Sequence, residues 1–149
     1  MSVAEQATET TTVRALPERL WAVATEFEQY PSWAHDIKEV EVLERDAEGR
    51  GSLVRFRTAA LGRSLSYTLA YDYSEAPRVL AWSQTRGDLT RVLDGSYAFA
   101  AAGDHTDVTY HLTAELVLPV PGFVKRRAEG RIIHTALKEL KARAEAASG

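Results

Sequence analysis

The sequence predicts an α+β domain in which one seven-stranded antiparallel sheet curls around a single long C-terminal helix. Three observations carry that prediction. Residues from Pro121 to Ala147 form the longest run with helical spacing. Between Ile37 and Leu118 the apolar period is two, interrupted at intervals by turn residues. The helical stretches that precede this run are short, so the apolar face of the sheet has only one element long enough to cover it.

Taken in order, Met1 to Ala7 reads as a flexible N-terminus and Thr8 to Ala15, rich in Thr and Val, as the first strand. Pro17-Glu18 opens a helix, because proline is tolerated at the first helical position and an acidic side chain favours the positive end of the dipole. Leu20, Trp21, Val23, Ala24 and Phe27 give that helix one apolar face, and Pro31 stops it. Tyr30-Pro31-Ser32-Trp33 makes a turn or a short second helix, with Ser32 as its cap.

Strands follow over Ile37 to Arg45 and Ser52 to Thr58, the second alternating Val54 and Phe56 with Arg55 and Arg57. After a turn at Leu61-Gly62-Arg63, Leu65, Tyr67, Leu69, Tyr71 and Tyr73 share one strand face. Beyond Ala76-Pro77-Arg78, Leu80 and Trp82 share a face of the next strand, which turns at Arg86-Gly87-Asp88 into a strand carrying Tyr97 and Phe99. Asp94-Gly95 is ordinarily a hairpin signal; a turn there would leave too short a segment, so a bulge that bends a long strand is expected. Past Ala102-Gly103-Asp104, Val108, Tyr110, Leu112, Ala114, Leu116 and Leu118 alternate down the last strand.

The 149 residues suffice for one domain with a core of its own. Cysteine is absent, which excludes disulfides, thiolate metal sites and a thiol nucleophile. A net charge of −3 argues against a nucleic-acid binder, whose affinity comes from neutralising phosphates. No apolar run reaches the length of a bilayer span and the first residues have no secretory pattern, so a cytoplasmic protein is expected.

On the last helix, Phe123, Arg126, Glu129, Gly130, Ile133, Ala136, Leu137, Leu140 and Ala144 fall on one stripe. Its C-terminal half is apolar, whereas its N-terminal half carries two charges and a glycine. Such a face implies packing at one end and a cavity at the other.

This element order resembles the polyketide cyclase/dehydrase and lipid-transport family of the START-like, helix-grip superfamily. Five motifs carry the likeness: Pro17-Glu18-x-Leu20-Trp21, Tyr30-Pro31-x-Trp33, Leu80-x-Trp82, Asp94-Gly95-x-Tyr97-x-Phe99, and Pro119-x-Pro121-Gly122-Phe123 before Leu137-Lys138-x-Leu140-Lys141. It spans residues 8–147 as a single domain and implies a helix-grip fold with two short helices between the first two strands. It also implies an internal cavity between sheet and helix that takes a hydrophobic small molecule such as a lipid, isoprenoid or polyketide. The alternative it implies is an aromatase/cyclase that promotes aldol closure and dehydration in the same cavity.

On that resemblance, the ligand-binding candidates are Trp33, Phe56, Tyr67, Leu69, Tyr71, Trp82, Tyr97, Phe99, Phe123, Arg126, Glu129 and Ile133. Trp33 reads either as the rim of the cavity or as a plug between the short helix and the sheet. Arg126 and Glu129, three apart, either pair at the helix start or turn inward, where Arg126 would orient a carboxylate, phosphate or ketone oxygen. The basic run Lys125-Arg126-Arg127 beside Phe123 and Val124 is either a solvated face or a lip making transient contact with a membrane surface. His35, His105, His111 and His134 lack metal-ligand spacing, and there is no Ser nucleophile motif, phosphate loop or carboxylate pair. No catalytic residue, metal or cofactor is therefore assigned.

Ile133, Leu137 and Leu140 should each stabilise the docked helix by roughly 1.5–3 kcal/mol. Leu137→Asp is expected to unfold the domain, read as loss of the cooperative thermal transition in circular dichroism.

Overall fold

The period-two segments become β-strands and the 3.6-period segments become helices. In chain order these are β1 (Glu5–Val13), α1 (Pro17–Thr25), a 3-10 turn (Phe27–Gln29), α2 (Tyr30–Trp33), β2 (Ile37–Arg45) and β3 (Gly51–Ala60). There follow β4 (Arg63–Asp72), β5 (Val79–Gly87), β6 (Thr90–Ala102), β7 (His105–Leu116) and α3 (Gly122–Ala146). The computed structural model describes residues 5–60, 62–117 and 120–146; Leu61, Leu118, Pro119 and Ala147 lie outside them. All neighbouring strands are antiparallel, in the order β1-β7-β6-β5-β4-β3-β2. This is the predicted fold: a seven-stranded meander, two short helices between its first two strands, and a long helix in its grip.

The first strand starts earlier than the sequence pattern indicated. Glu5 and Ala7 pair with Ala114 and Leu112 of β7. On the outer face of this pair the ladder is polar: Thr8 Oγ1 meets His111 Nδ1 at 2.7 Å, Thr10 meets Thr109 at 3.1 Å, and Thr12 donates to Asp107 at 3.0 Å. Such side chains carry no apolar alternation to mark where the strand begins.

Helix α1 ends at Thr25, two residues short of Phe27. The Thr25 hydroxyl bonds back to the Trp21 carbonyl at 2.7 Å, and Glu26 leaves the helical region at φ −83°, ψ 70°. Phe27 consequently lies in the 3-10 turn rather than on the helix. Ser32 does not cap α2; from within that helix its hydroxyl donates to the Gln29 carbonyl at 2.6 Å.

Strand β6 passes through Asp94-Gly95 without turning, and the expected bulge is not there: the register shift against β7 falls between Thr90 and Val92. Gly95 answers a different need. It faces Trp82 across the β5–β6 pair, and a Cβ at this position would stand 2.8 Å from Trp82 Cζ2 and 2.5 Å from the His111 carbonyl oxygen. Direct pairing of β5 with β6 ends at this point, where Asp94 Oδ1 accepts the Gln84 N–H at 2.9 Å.

Helix α3 runs back along β7 and β1 and buries Glu129, Ile133, Leu137, Leu140 and Ala144. Its C-terminal half is tied down by Glu145, which accepts the Arg14 N–H at 2.9 Å, and by Glu139, 2.7 Å from His35 Nδ1. The expected inward stripe is therefore cut short at its start. Phe123 is 61% exposed, and Arg126 and Gly130 also reach the surface. Glu129 already meets Leu116, the last residue of β7, and Phe123 lies six residues further along the helix, about 9 Å beyond.

Two glycine substitutions separate these packing roles. Gly95→Ala should cost roughly 1–3 kcal/mol or more, because the added methyl meets backbone and an indole ring. Gly130→Ala should raise stability by roughly 0.5–1 kcal/mol, because a Cβ there meets nothing within 4 Å and alanine is the better helix former. Thermal unfolding of both variants checks the opposite signs.

Candidate functional site

Alternation along β3 to β7 sends every second side chain to the concave face, and a series of aromatic rings results. Phe56 stacks on Tyr67 with centroids 5.4 Å apart, and Tyr71 lies 4.5 Å from Phe27 and 5.9 Å from Trp82. Trp82 is in turn 5.4 Å from Tyr97 and 5.8 Å from Tyr110, while Tyr97 stacks on Phe99 at 6.1 Å. The helical side closes over these rings through Trp21, 6.4 Å from Phe99, and Tyr30, 5.9 Å from Phe56 and 4.9 Å from Trp33.

Burial acts strongly on the phenols of this interior. It raises the Tyr30, Tyr67, Tyr71, Tyr97 and Tyr110 hydroxyls far above their ordinary value of 10.0, and neighbouring tyrosines add to the rise in all but Tyr67. Tyr73, nearer the surface, is pushed up to about 12 by burial, with Asp46 adding to the shift and Arg50 and Arg45 opposing it. All five deeply placed tyrosines therefore remain neutral hydrogen-bond donors across the physiological range.

Their hydroxyls differ in what they meet. Tyr30 donates to the Ala24 carbonyl, Tyr73 donates to the Gly51 carbonyl at 2.6 Å, and Tyr67 has Thr58 beside it. Among the described residues, the hydroxyls of Tyr71, Tyr97 and Tyr110 have no hydrogen-bond partner. Tyr67 and Tyr71 are half-buried at the edge of the ring cluster.

A recess of about 100 Å³ opens between the N-terminal half of α3 and the sheet, lined by Gln6, Ala7, Leu112, Ala114, Arg126, Glu129, Gly130 and Ile133. The missing side chain of Gly130 gives it room. Glu129 is 6% exposed and its Oε2 accepts the Leu116 N–H at 3.3 Å, fastening this part of the helix to the end of β7. Leu112, opposite Gly95, connects the recess wall to the ring system through Trp82.

The sequence-derived candidates thus fall into three groups. Trp33, Phe56, Tyr67, Leu69, Tyr71, Trp82, Tyr97 and Phe99 belong to one aromatic and aliphatic cluster. Arg126, Glu129 and Ile133 meet at the recess. Phe123 joins neither, being exposed on the first turn of α3. Phe27, Tyr30 and Tyr110 were not singled out, nor were the β1 residues Gln6 and Ala7. Tyr110 was within reach of the sequence, since it has the same strand parity as Val108 and Leu112. The four histidines are dispersed, and among the described residues no three His, Asp or Glu side chains gather as a metal site would require.

Because the folded-state pKa of each buried tyrosine exceeds its unfolded value, the stability linked to it is complete below pH about 10 and is lost as the pH rises further. The loss is about 1.4 kcal/mol per pH unit for each tyrosine. Alkaline titration should therefore show phenolate absorbance rising together with cooperative unfolding, and the two signals should share one midpoint. Ionisation of all six tyrosines near pH 10 in a folded protein would refute the arrangement.

Comparison with known proteins agrees with this geometry. A START superfamily protein from Mycobacterium smegmatis superimposes with a TM-score of 0.86 at 28% identity, over 94% of this chain and 97% of that one. An aromatase/cyclase from Streptomyces sp. R1128 shares the fold at a TM-score of 0.78 and 19% identity, over 96% of this chain and 94% of that one. A STAR-related lipid transfer protein fragment from Xanthomonas axonopodis does so at 0.73 and 15%, over 93% and 85%. Among curated protein sequences none matches the chain. The family model described as polyketide cyclase / dehydrase and lipid transport matches residues 4–145, and the chain therefore belongs to that family, within the START-like superfamily.

Proposed function

We propose that the protein binds a hydrophobic small molecule in the interior between its sheet and α3, and that the recess beside Gly130 is the way in. The observation that carries this reading is the recess between α3 and the sheet, whose apolar wall of Leu112, Ala114 and Ile133 belongs to the same core cluster as the aromatic rings. At about 100 Å³ the recess is smaller than the several hundred Å³ that a drug-sized ligand occupies. Entry consequently requires the N-terminal half of α3 to move away from β7. Its polar underside and its glycine make that half the weaker part of the contact.

Arg126, exposed and lining the recess, is suited to hold an acidic or ketone oxygen of the ligand at the mouth. The neighbouring Phe123 and Val117, 61% and 44% exposed, lie in sequence beside Lys125, Arg126 and Arg127. Together they suit transient contact with an anionic membrane surface during loading of a cytoplasmic protein. A second reading, cyclase chemistry on a poly-β-ketone, is favoured by one observation: Arg126 and Glu129 line the same recess. Binding is preferred because the Glu129 carboxylate is already engaged in a structural contact, accepting the Leu116 N–H at 3.3 Å.

Native mass spectrometry of the purified protein, followed by organic extraction, tests the reading directly. A co-purifying lipid, isoprenoid, quinone or polyketide is expected. Gly130→Leu, which fills the recess, should abolish retention with the melting temperature unchanged or raised. Arg126→Met should weaken retention by roughly three- to thirty-fold without loss of stability. Undiminished ligand content in Gly130→Leu would remove the recess from the path of entry.

A further inference from the structure

The two outer edges of the sheet are built differently. β2 is interrupted by three register shifts against β3 and presents Lys38 to solvent, and both features discourage a strand edge from pairing further. β1 has neither. It keeps one unbroken register with β7 over nine residues, contains no Lys, Arg or Pro, and includes four threonines. Gln6, Ala7, Thr8, Thr10 and Thr12 are exposed, and on the side away from β7 no strand pairs with β1. Every second residue there directs a backbone N–H and C=O outward.

Beside this edge stands a row of cations. α3 carries seven Lys or Arg side chains and three Glu, and each carboxylate contacts another part of the fold: Glu129 the Leu116 N–H, Glu139 the His35 ring and Glu145 the Arg14 N–H. Arg127, Arg131, His134 and Lys138 are exposed and spaced four, three and four residues apart, so they share one flank of the helix. Two contacts fix where that flank lies. His134 Nδ1 is 3.5 Å from Glu9 Oε1 of β1, and Glu145, seven residues beyond Lys138, meets the chain just past the end of β1. Arg127, Arg131 and Lys138 have no ion-pair or hydrogen-bond partner among the described residues.

We propose that the β1 edge and this flank of α3 form a docking site for an extended acidic segment of another protein, which adds to the seven-stranded sheet and sets alternate carboxylates against Arg127, Arg131 and Lys138. The dimensions agree. From Arg127 to Lys138 the helix rises about 16 Å, and roughly five residues of strand cover that length with every second side chain on one face. β1 supplies the backbone hydrogen bonds and α3 selects the charge. A membrane surface has no alternating N–H and C=O groups for the edge. A second copy has them, yet two-fold pairing along β1 would set two cationic flanks side by side, and their repulsion opposes it. On the outer face Thr8, Thr10 and Thr12 favour β-branched neighbours in the added strand.

Fluorescence anisotropy of a fluorescein-labelled peptide alternating Thr or Val with Glu tests this on the full chain. The peptide is expected to bind, more weakly as salt rises, and its Gln counterpart to bind about tenfold more weakly or worse. The combined variant Arg127→Gln, Arg131→Gln, Lys138→Gln should lose the same factor with its melting temperature unchanged, because these side chains are exposed. N-methylation of the peptide at its Glu residues blocks one strand edge, and N-methylation at its Thr and Val residues blocks the other. One of the two forms should lose about tenfold and the other should not; equal affinities would mean that charge alone holds the peptide and would overturn strand addition. Failure of the Glu peptide to bind, while phosphatidylglycerol vesicles do, would assign the flank to a membrane. A dimer in light scattering that blocks the peptide would assign the edge to a second copy. Either result would overturn the proposal.

Discussion

The docking of α3 on β7 and β1 is the contact on which the remaining structure depends. A seven-stranded meander has an apolar concave face wider than one helix can cover, and α3 covers only the side formed by its first and last strands. Leu137, Leu140 and Ala144 are packed to near-zero exposure there. The other side is covered by α1, the 3-10 turn and α2, whose short lengths oblige them to use large residues: Trp21, Phe27, Tyr30 and Trp33. Aromatic rings from the sheet then fill the centre. The interior is ring-lined because its cover consists of several small pieces rather than a second long helix.

Much of this was legible in the sequence because β-strands and helices impose different periods, and each side chain's parity determines its face. Leu65, Tyr67, Leu69 and Tyr71 follow this rule, as do Tyr97 and Phe99. The resemblance to the START-like proteins added the curl of the sheet and the grip on the helix. The features that could not be read depend on contacts distant in sequence. Asp94-Gly95 has the composition of a turn or bulge, yet its glycine is explained by an indole on the neighbouring strand. Phe123 continues the helical stripe by spacing alone, but spacing does not tell how far the sheet extends beneath it. The early start of β1 was hidden for a related reason, since its outer face pairs threonines with polar residues of β7 and presents no apolar alternation.

At the polar half of α3 the packing loosens, and a recess of about 100 Å³ lies beside Gly130 and Glu129. What the sequence did not separate was the recess from the ring cluster. Arg126 and Glu129 line the former, whereas Tyr71, Tyr97 and Tyr110 lie in the latter among rings that any pattern analysis would assign simply to the core. A tyrosine and a phenylalanine are equivalent to a hydrophobic period; only the inventory of hydrogen-bond partners distinguishes them. A lipid transfer protein fragment and an aromatase/cyclase share this fold, and a shared fold does not by itself imply a shared function.

The unequal fastening of α3 has a kinetic consequence. Its C-terminal half is held by buried leucines and by the Glu145 contact to Arg14, which makes it the more firmly fastened part. Its N-terminal half rests on a glycine gap and the Glu129 contact to Leu116. Under the binding function proposed above, a molecule lodged among the rings would leave when that half lifts, so its exchange would be gated by the opening of one helix segment. Exchange on such terms saturates: beyond a modest ligand concentration, loading proceeds at the helix's pace whatever the ligand's affinity.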